Sequence, residues 1–122
     1  MTTPAERTRA LIRGRDLLGR LAIEQALVTE TRARALAILD AYPTTSNIKD
    51  WVASGLPTLP QAAAVAVDAA SALFYQLPLN DGVVEGYKNL LLEVQRHFPS
   101  PGSALDAARL GFFGGIREWL SE

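Results

Sequence analysis

Thr3-Pro4-Ala5-Glu6-Arg7-Thr8-Arg9-Ala10-Leu11-Ile12-Arg13-Gly14-Arg15-Asp16-Leu17-Leu18-Gly19-Arg20-Leu21-Ala22-Ile23 is the stretch that decides the fold class. It opens with a capping box: the Thr3 hydroxyl accepts from the backbone N–H at Glu6, and the Glu6 carboxylate reaches back to the cap N–H. Pro4 sits just inside, where its missing N–H costs nothing. Along the next five turns Ala10, Leu11, Gly14, Leu17, Leu18, Leu21 and Ala22 project to one face at 100° per residue. Arg9, Arg13 and Arg20 fall opposite, and Arg15 flanks the stripe. Arg7 lies near its middle, one turn before Leu11, so its charge must snorkel or pair. A helix from Pro4 to about Ile23 follows.

The same reading extends along the chain. Thr29 or Thr31 opens a second helix with Ala35, Leu36, Leu39 and Tyr42 at helical spacing, and Pro43 stops it. Thr45 or Ser46 caps a short helix through Ile48, Trp51 and Val52, which Ser54-Gly55-Leu56-Pro57 ends. Thr58-Leu59-Pro60-Gln61 is another capping-box pattern, before an alanine-rich helix that ends near Leu77-Pro78. Asn80-Asp81-Gly82 turns the chain into a helix from about Val83 to His97, closed by Phe98-Pro99. Ser100 or Ser103 caps a last helix reaching about Leu120. No stretch alternates with period two long enough for a strand. The expected architecture is all-α: a compact bundle of five or six helices.

A shift of 56 residues lays parts of this plan on one another. Shifting the chain by 56 places Pro4 on Pro60, Tyr42-Pro43 on Phe98-Pro99, Leu17 and Leu18 on Leu73 and Phe74, Leu21 on Leu77 and Ile38 on Val94. Two three-helix pseudo-repeats, 1–55 and 56–122, within one domain are one reading, and generic helical periodicity is the other. Units this short bury little alone and should pack on each other.

Composition narrows function mostly by exclusion. In 122 residues there is no cysteine, which removes disulfides and thiolate chemistry, and a single histidine. Neither a carboxylate metal loop nor a phosphate-binding glycine loop is present. Gly111-Phe112-Phe113-Gly114-Gly115 sits inside an apolar helical pattern, not after a strand. The weakly polar stretch Ala62 to Leu79 is mostly alanine and carries Asp68, so it reads as a buried or amphipathic helix, not a membrane span. No signal-type apolar segment follows Met1, and the chain is expected to be soluble and cytoplasmic.

The block Thr3-Pro4-Ala5-Glu6-Arg7-Thr8-Arg9-Ala10, with Arg15 and the later Tyr42-Pro43, resembles the opening of an uncharacterised family of short bacterial proteins. That family shares a TxPxERTRA block and a following YP pair. The resemblance covers Thr3 to Pro43, and its ERTRA core is the specific part. It implies a small bacterial protein and brings no activity, substrate or catalytic residue.

Three functional readings remain. The favoured one is a non-enzymatic protein–protein interaction module, an adaptor or an inhibitor of another macromolecule, a class that includes inhibitors encoded by mobile elements. In the last helix Leu105, Ala108, Phe112, Ile116 and Trp119 form one stripe with Phe113 and Leu120 beside it. That stripe is either core or an exposed patch for a partner or homodimer. Trp51 carries the same alternatives. The second reading is a nucleic-acid binder, or one that takes an acidic partner, through Arg9, Arg13, Arg15 and Arg20. The charge halves favour that end of the chain: residues 1–52 carry net +2 and residues 53–122 net −3. Glu6 and Asp16 interrupt the arginines, however, and the solvated, salt-bridged face is its plain alternative. The third is an enzyme using carboxylates or His97, although a histidine at a helix C-terminus commonly serves as a cap. No cofactor or metal is expected.

Overall fold

The computed structural model describes residues 2–25, 27–55, 59–77, 88–110 and 120. Among them six helices and no strand occur: α1 (Pro4–Ile23), α2 (Thr29–Ala41), α3 (Thr45–Ala53), α4 (Gln61–Gln76), α5 (Lys88–His97) and α6 (Ser103–Leu110). The protein is all-α, and its helices pack closely on one another. No described helix is long and apolar enough to cross a membrane.

The caps explain the boundaries and correct some of them. At α1 the expected box forms in full, with Glu6 N–H donating to Thr3 Oγ1 at 3.1 Å and Thr3 N–H donating to Glu6 Oε1 at 2.9 Å. At α3 the cap is Thr44 rather than Thr45 or Ser46; Asn47 closes the box where a Glu or Gln is usual. Thr29 is the first residue of α2 and not its cap. Pro60 stands at the N-cap of α4 without a side-chain hydrogen bond, so Gln61 begins that helix and does not close a box; Thr58 lies outside the described residues. So do residues 83–87, where α5 was expected to start.

For α6 the cap comes from another helix. Both oxygens of Asp68, on α4, accept from backbone N–H groups at the start of α6, Ala104 and Leu105, each at 3.0 Å. The carboxylate satisfies orphan donors and faces the positive end of the helix dipole. Gly102, at φ +90°, makes the turn that brings α6 to it.

The buried face of α1 is largely the projected one: Ala10, Leu11, Gly14, Leu17, Leu18 and Leu21 are buried against α2, α3, α4 and α5, Ala22 is partly buried, and Thr8, outside the projection, is buried as well. On α4, Val67, Ala70, Leu73 and Phe74 are buried, and this helix packs on α6 and α2. Arg7 is only 6% exposed, so its side chain does not snorkel; burial lowers its pKa. On α2 the buried pair is Ala35 and Ile38, continued by Tyr42 past the helix end, while Leu36 is 58% exposed. The stripe that faces the core thus passes on the other side of Ala35 from Leu36.

The chain turns after α2 and after α5 lock the bundle at one point. Tyr42 donates its hydroxyl hydrogen to Leu11 O at 2.6 Å, and Phe98 meets Phe74 edge-on with centroids 5.1 Å apart. Both aromatic rings press on Gly14, where a Cβ would stand 2.7 Å from Phe98 Cε2 and 3.0 Å from Tyr42 Oη. Glycine is therefore needed here for space. The prolines that follow are held alike: Arg15 Nη1 donates to Pro43 O at 3.3 Å, and Ser71, 56 places on, donates to Pro99 O at 2.6 Å.

Candidate functional site

On α1 the residues Arg9, Arg13, Asp16 and Arg20 recur every three or four positions and form one exposed edge. A depression lies on either side of this edge, and the two differ in chemistry.

The first is a groove of 480 Å³ against α2 and the start of α3. Ile12, Gly19, Ile23 and Leu39 supply its apolar surface; Arg15, Asp16 and Arg20 supply its polar edge. Ile23 is 74% exposed at the end of α1. A Cβ built on Gly19 meets nothing within 4 Å, so the middle of the groove is open. Arg15 is committed inward: the same Nη1 that reaches Pro43 O donates to Tyr42 O at 3.0 Å. It satisfies carbonyls past the end of α2, a common task for a basic side chain there. Arg20 pairs with Asp16 at 3.4 Å along the helix, an exposed contact of little energetic weight.

The second is a cleft of 180 Å³ between α1 and α5. Its charged wall is Glu6, Arg9 and Arg13 from α1, and Glu93, Arg96 and His97 from α5. Arg13 and Glu93 form an ion pair that bridges the two helices. His97 joins the ends of both: Nε2 lies 3.1 Å from Glu6 Oε2, and Nδ1 lies 3.1 Å from Thr2 Oγ1. The Glu6 carboxyl is held below its ordinary pKa, chiefly by the Thr3 backbone N–H and then by the Thr3 hydroxyl; desolvation opposes them, and His97 and Arg9 add lesser lowering effects.

Hydroxyl, imidazole and carboxylate thus stand in a row, the order nucleophilic catalysis uses. Thr2 is not among the residues that line this cleft. The row ties the start of the chain to the end of α5. His97 was expected to cap its own helix; its described hydrogen bonds instead run to Thr2 and Glu6.

The four arginines singled out from sequence therefore divide. Arg9 and Arg13 come together at the cleft, while Arg15 and Arg20 line the groove. Of the apolar candidates, Leu120 is buried at 5% exposure and joins the core, so it offers no surface to a partner. Leu120 itself is not helical, and residues 111–119, over which the last helix was expected to continue, lie outside the described residues. Trp51 is half-buried and packs on the core. Phe112, Phe113, Ile116 and Trp119 lie outside the described residues. In the described part of α6, Ala104 and Ala107 are buried and Leu105 and Ala108 are partly so. Sequence reasoning missed Ile23 and Arg96. Ile23 ends an otherwise well-buried apolar pattern, and Arg96 belongs to no basic run on its helix, so only the packing of α2 and α5 gives either a setting.

Among the described residues no group of three or more His, Asp or Glu side chains is placed to hold a metal ion. Compared with models of known protein families, with curated proteins and with solved structures, the chain matches none.

Proposed function

We propose that this protein is a non-enzymatic interaction module that docks an acidic, amphipathic segment of a partner protein in the groove beside α1. The observation that carries this reading is Ile23, a large aliphatic side chain left 74% exposed beside the groove that Ile12, Gly19 and Leu39 line. Burying one such side chain on binding is worth roughly 1.5–3 kcal/mol, which is the scale of an interface anchor. Arg15 and Arg20 against the single Asp16 leave the groove edge positive, which favours an acidic occupant. Gly19 lets the backbone of that occupant approach closely.

A nucleic-acid partner, which needs a continuous run of phosphate contacts, fits the arginine edge less well, because Asp16 interrupts it and Arg13 is ion-paired with Glu93. In such a role the chain acts by occupying or bridging its partner, as an adaptor or an inhibitor does.

Capture of partners from a bacterial lysate, with and without nuclease, tests the proposal with four chains: wild type, Ile23→Asp, Gly19→Leu, and Arg9→Ala with Arg13→Ala. The expected result is a stoichiometric protein that survives nuclease, is retained by the double arginine variant and is lost with Ile23→Asp. Gly19→Leu, which fills the groove, should lose it as well. Capture indifferent to both groove variants would overturn the groove as the site. Capture abolished by nuclease and by the arginine variant would replace it with the nucleic-acid reading.

A further inference from the structure

The cleft between α1 and α5 holds more positive charge than its own carboxylates use. Glu6 is occupied by the Thr3 N–H and by His97, and Glu93 by Arg13. Arg9 and Arg96 face the same cleft and donate no hydrogen bond among the described residues, Arg9 feeling Glu6 only through space. With His97 neutral the wall still carries one net positive charge, and with His97 protonated it carries two.

We infer that this cleft is a binding site for a phosphomonoester group, gripped by Arg9 and Arg96 with Arg13 and His97 at its sides. Three points select that chemistry. Guanidinium forks from two helices can direct four N–H donors at one group, and the three terminal oxygens of a phosphomonoester accept them with less crowding than the two of a carboxylate. The volume, 180 Å³, lies below the roughly 300 Å³ where small-molecule pockets begin and suits a single charged group. Glu6 and Glu93 also stand on the cleft wall, where the neighbouring phosphates of a diester chain would meet them. A dianionic end group gains from both arginines and brings no flanking phosphates to those carboxylates. The site is separate from the groove, and its occupant need not belong to the same partner.

The test is titration of the 15N-labelled chain at fixed ionic strength with inorganic phosphate, O-phosphoserine, acetate and a short single-stranded oligonucleotide. Phosphate and phosphoserine should both give saturable shifts at the side chains of Arg9 and Arg96 and at the amides of Ala10 and His97. Arg9→Ala and Arg96→Ala should each weaken this by about tenfold, the loss of one charge-assisted contact. Arg20→Ala should leave it unchanged. Glu93→Gln frees Arg13 and should tighten binding several-fold, a gain that a merely structural role for the ion pair would not give. All four substitutions are at exposed positions, and circular dichroism confirms the fold. Saturation by inorganic phosphate alone would mean a free-ion site and would overturn the monoester assignment. Acetate binding as well as phosphate, oligonucleotide binding more tightly through the same arginines, or no saturable shift would each overturn it too.

Discussion

Replacing Gly14 by alanine sets two opposed effects against each other, and the structure decides between them. In a helix interior the change removes the conformational cost of glycine and is worth about 1 kcal/mol of added stability. The new methyl, however, would sit 2.7 Å from Phe98 Cε2 and 3.0 Å from Tyr42 Oη. Ordinary carbon–carbon contact is roughly 3.5–4.0 Å, so a ring must retreat by about 1 Å. Neither ring is free to do so. Tyr42 is held by its 2.6 Å hydrogen bond to Leu11 O, and Phe98 by its edge contact with Phe74. Overpacking of this kind costs roughly 1–3 kcal/mol; with both neighbours fixed the upper end applies, leaving a net loss of about 2 kcal/mol. For a chain of this length that is a fall in Tm of roughly 5–10 °C. Gly19→Ala is the internal control, since its Cβ meets nothing within 4 Å. It should gain up to about 1 kcal/mol. Guanidinium denaturation followed by circular dichroism measures both, with an unchanged slope confirming two-state comparison. If Gly14→Ala stabilises the chain as much as Gly19→Ala does, the close approach of the two rings is not real and the reasoning fails.

Other outcomes follow from single contacts. Asp68→Ala removes the carboxylate that caps α6 and should cost about 1 kcal/mol in the same denaturation assay; Asp68→Asn, which keeps one acceptor, should cost less. Tyr42→Phe deletes the buried hydroxyl and its bond to Leu11 O, for a loss of about 1 kcal/mol read as a shifted denaturation midpoint. Because the Glu6 carboxyl has a lowered pKa in the folded chain, its contribution is present above its unfolded value and is lost as pH falls through the folded one. Glu6→Gln keeps an acceptor for the cap but cannot titrate, so stability measured from neutral to acid pH should fall less steeply in this variant than in wild type.

Much of the fold was legible from local chemistry. The α1 cap, most of its buried face and its end are written in residues within a turn or two of each other, since capping and helical periodicity are short-range effects. Boundaries set by competing local choices were less legible: Thr44, Thr45 and Ser46 all cap well, and an asparagine closed the box. The cap of α6 could not be read at all, because Asp68 is 36 residues away from Ala104 along the chain.

The candidate sites divide in the same way. Sequence alone determined that this is a helical protein with arginines on one exposed edge of its first helix, because hydrophobic spacing fixes which side of a helix is buried. Tertiary structure decided what each arginine does. Packing of α5 pairs Arg13 with Glu93 and brings Arg96 into the cleft beside Arg9, while the turn after α2 draws Arg15 onto the carbonyls of Tyr42 and Pro43. Such partners lie tens of residues apart, and helical periodicity carries no information on which helices will meet.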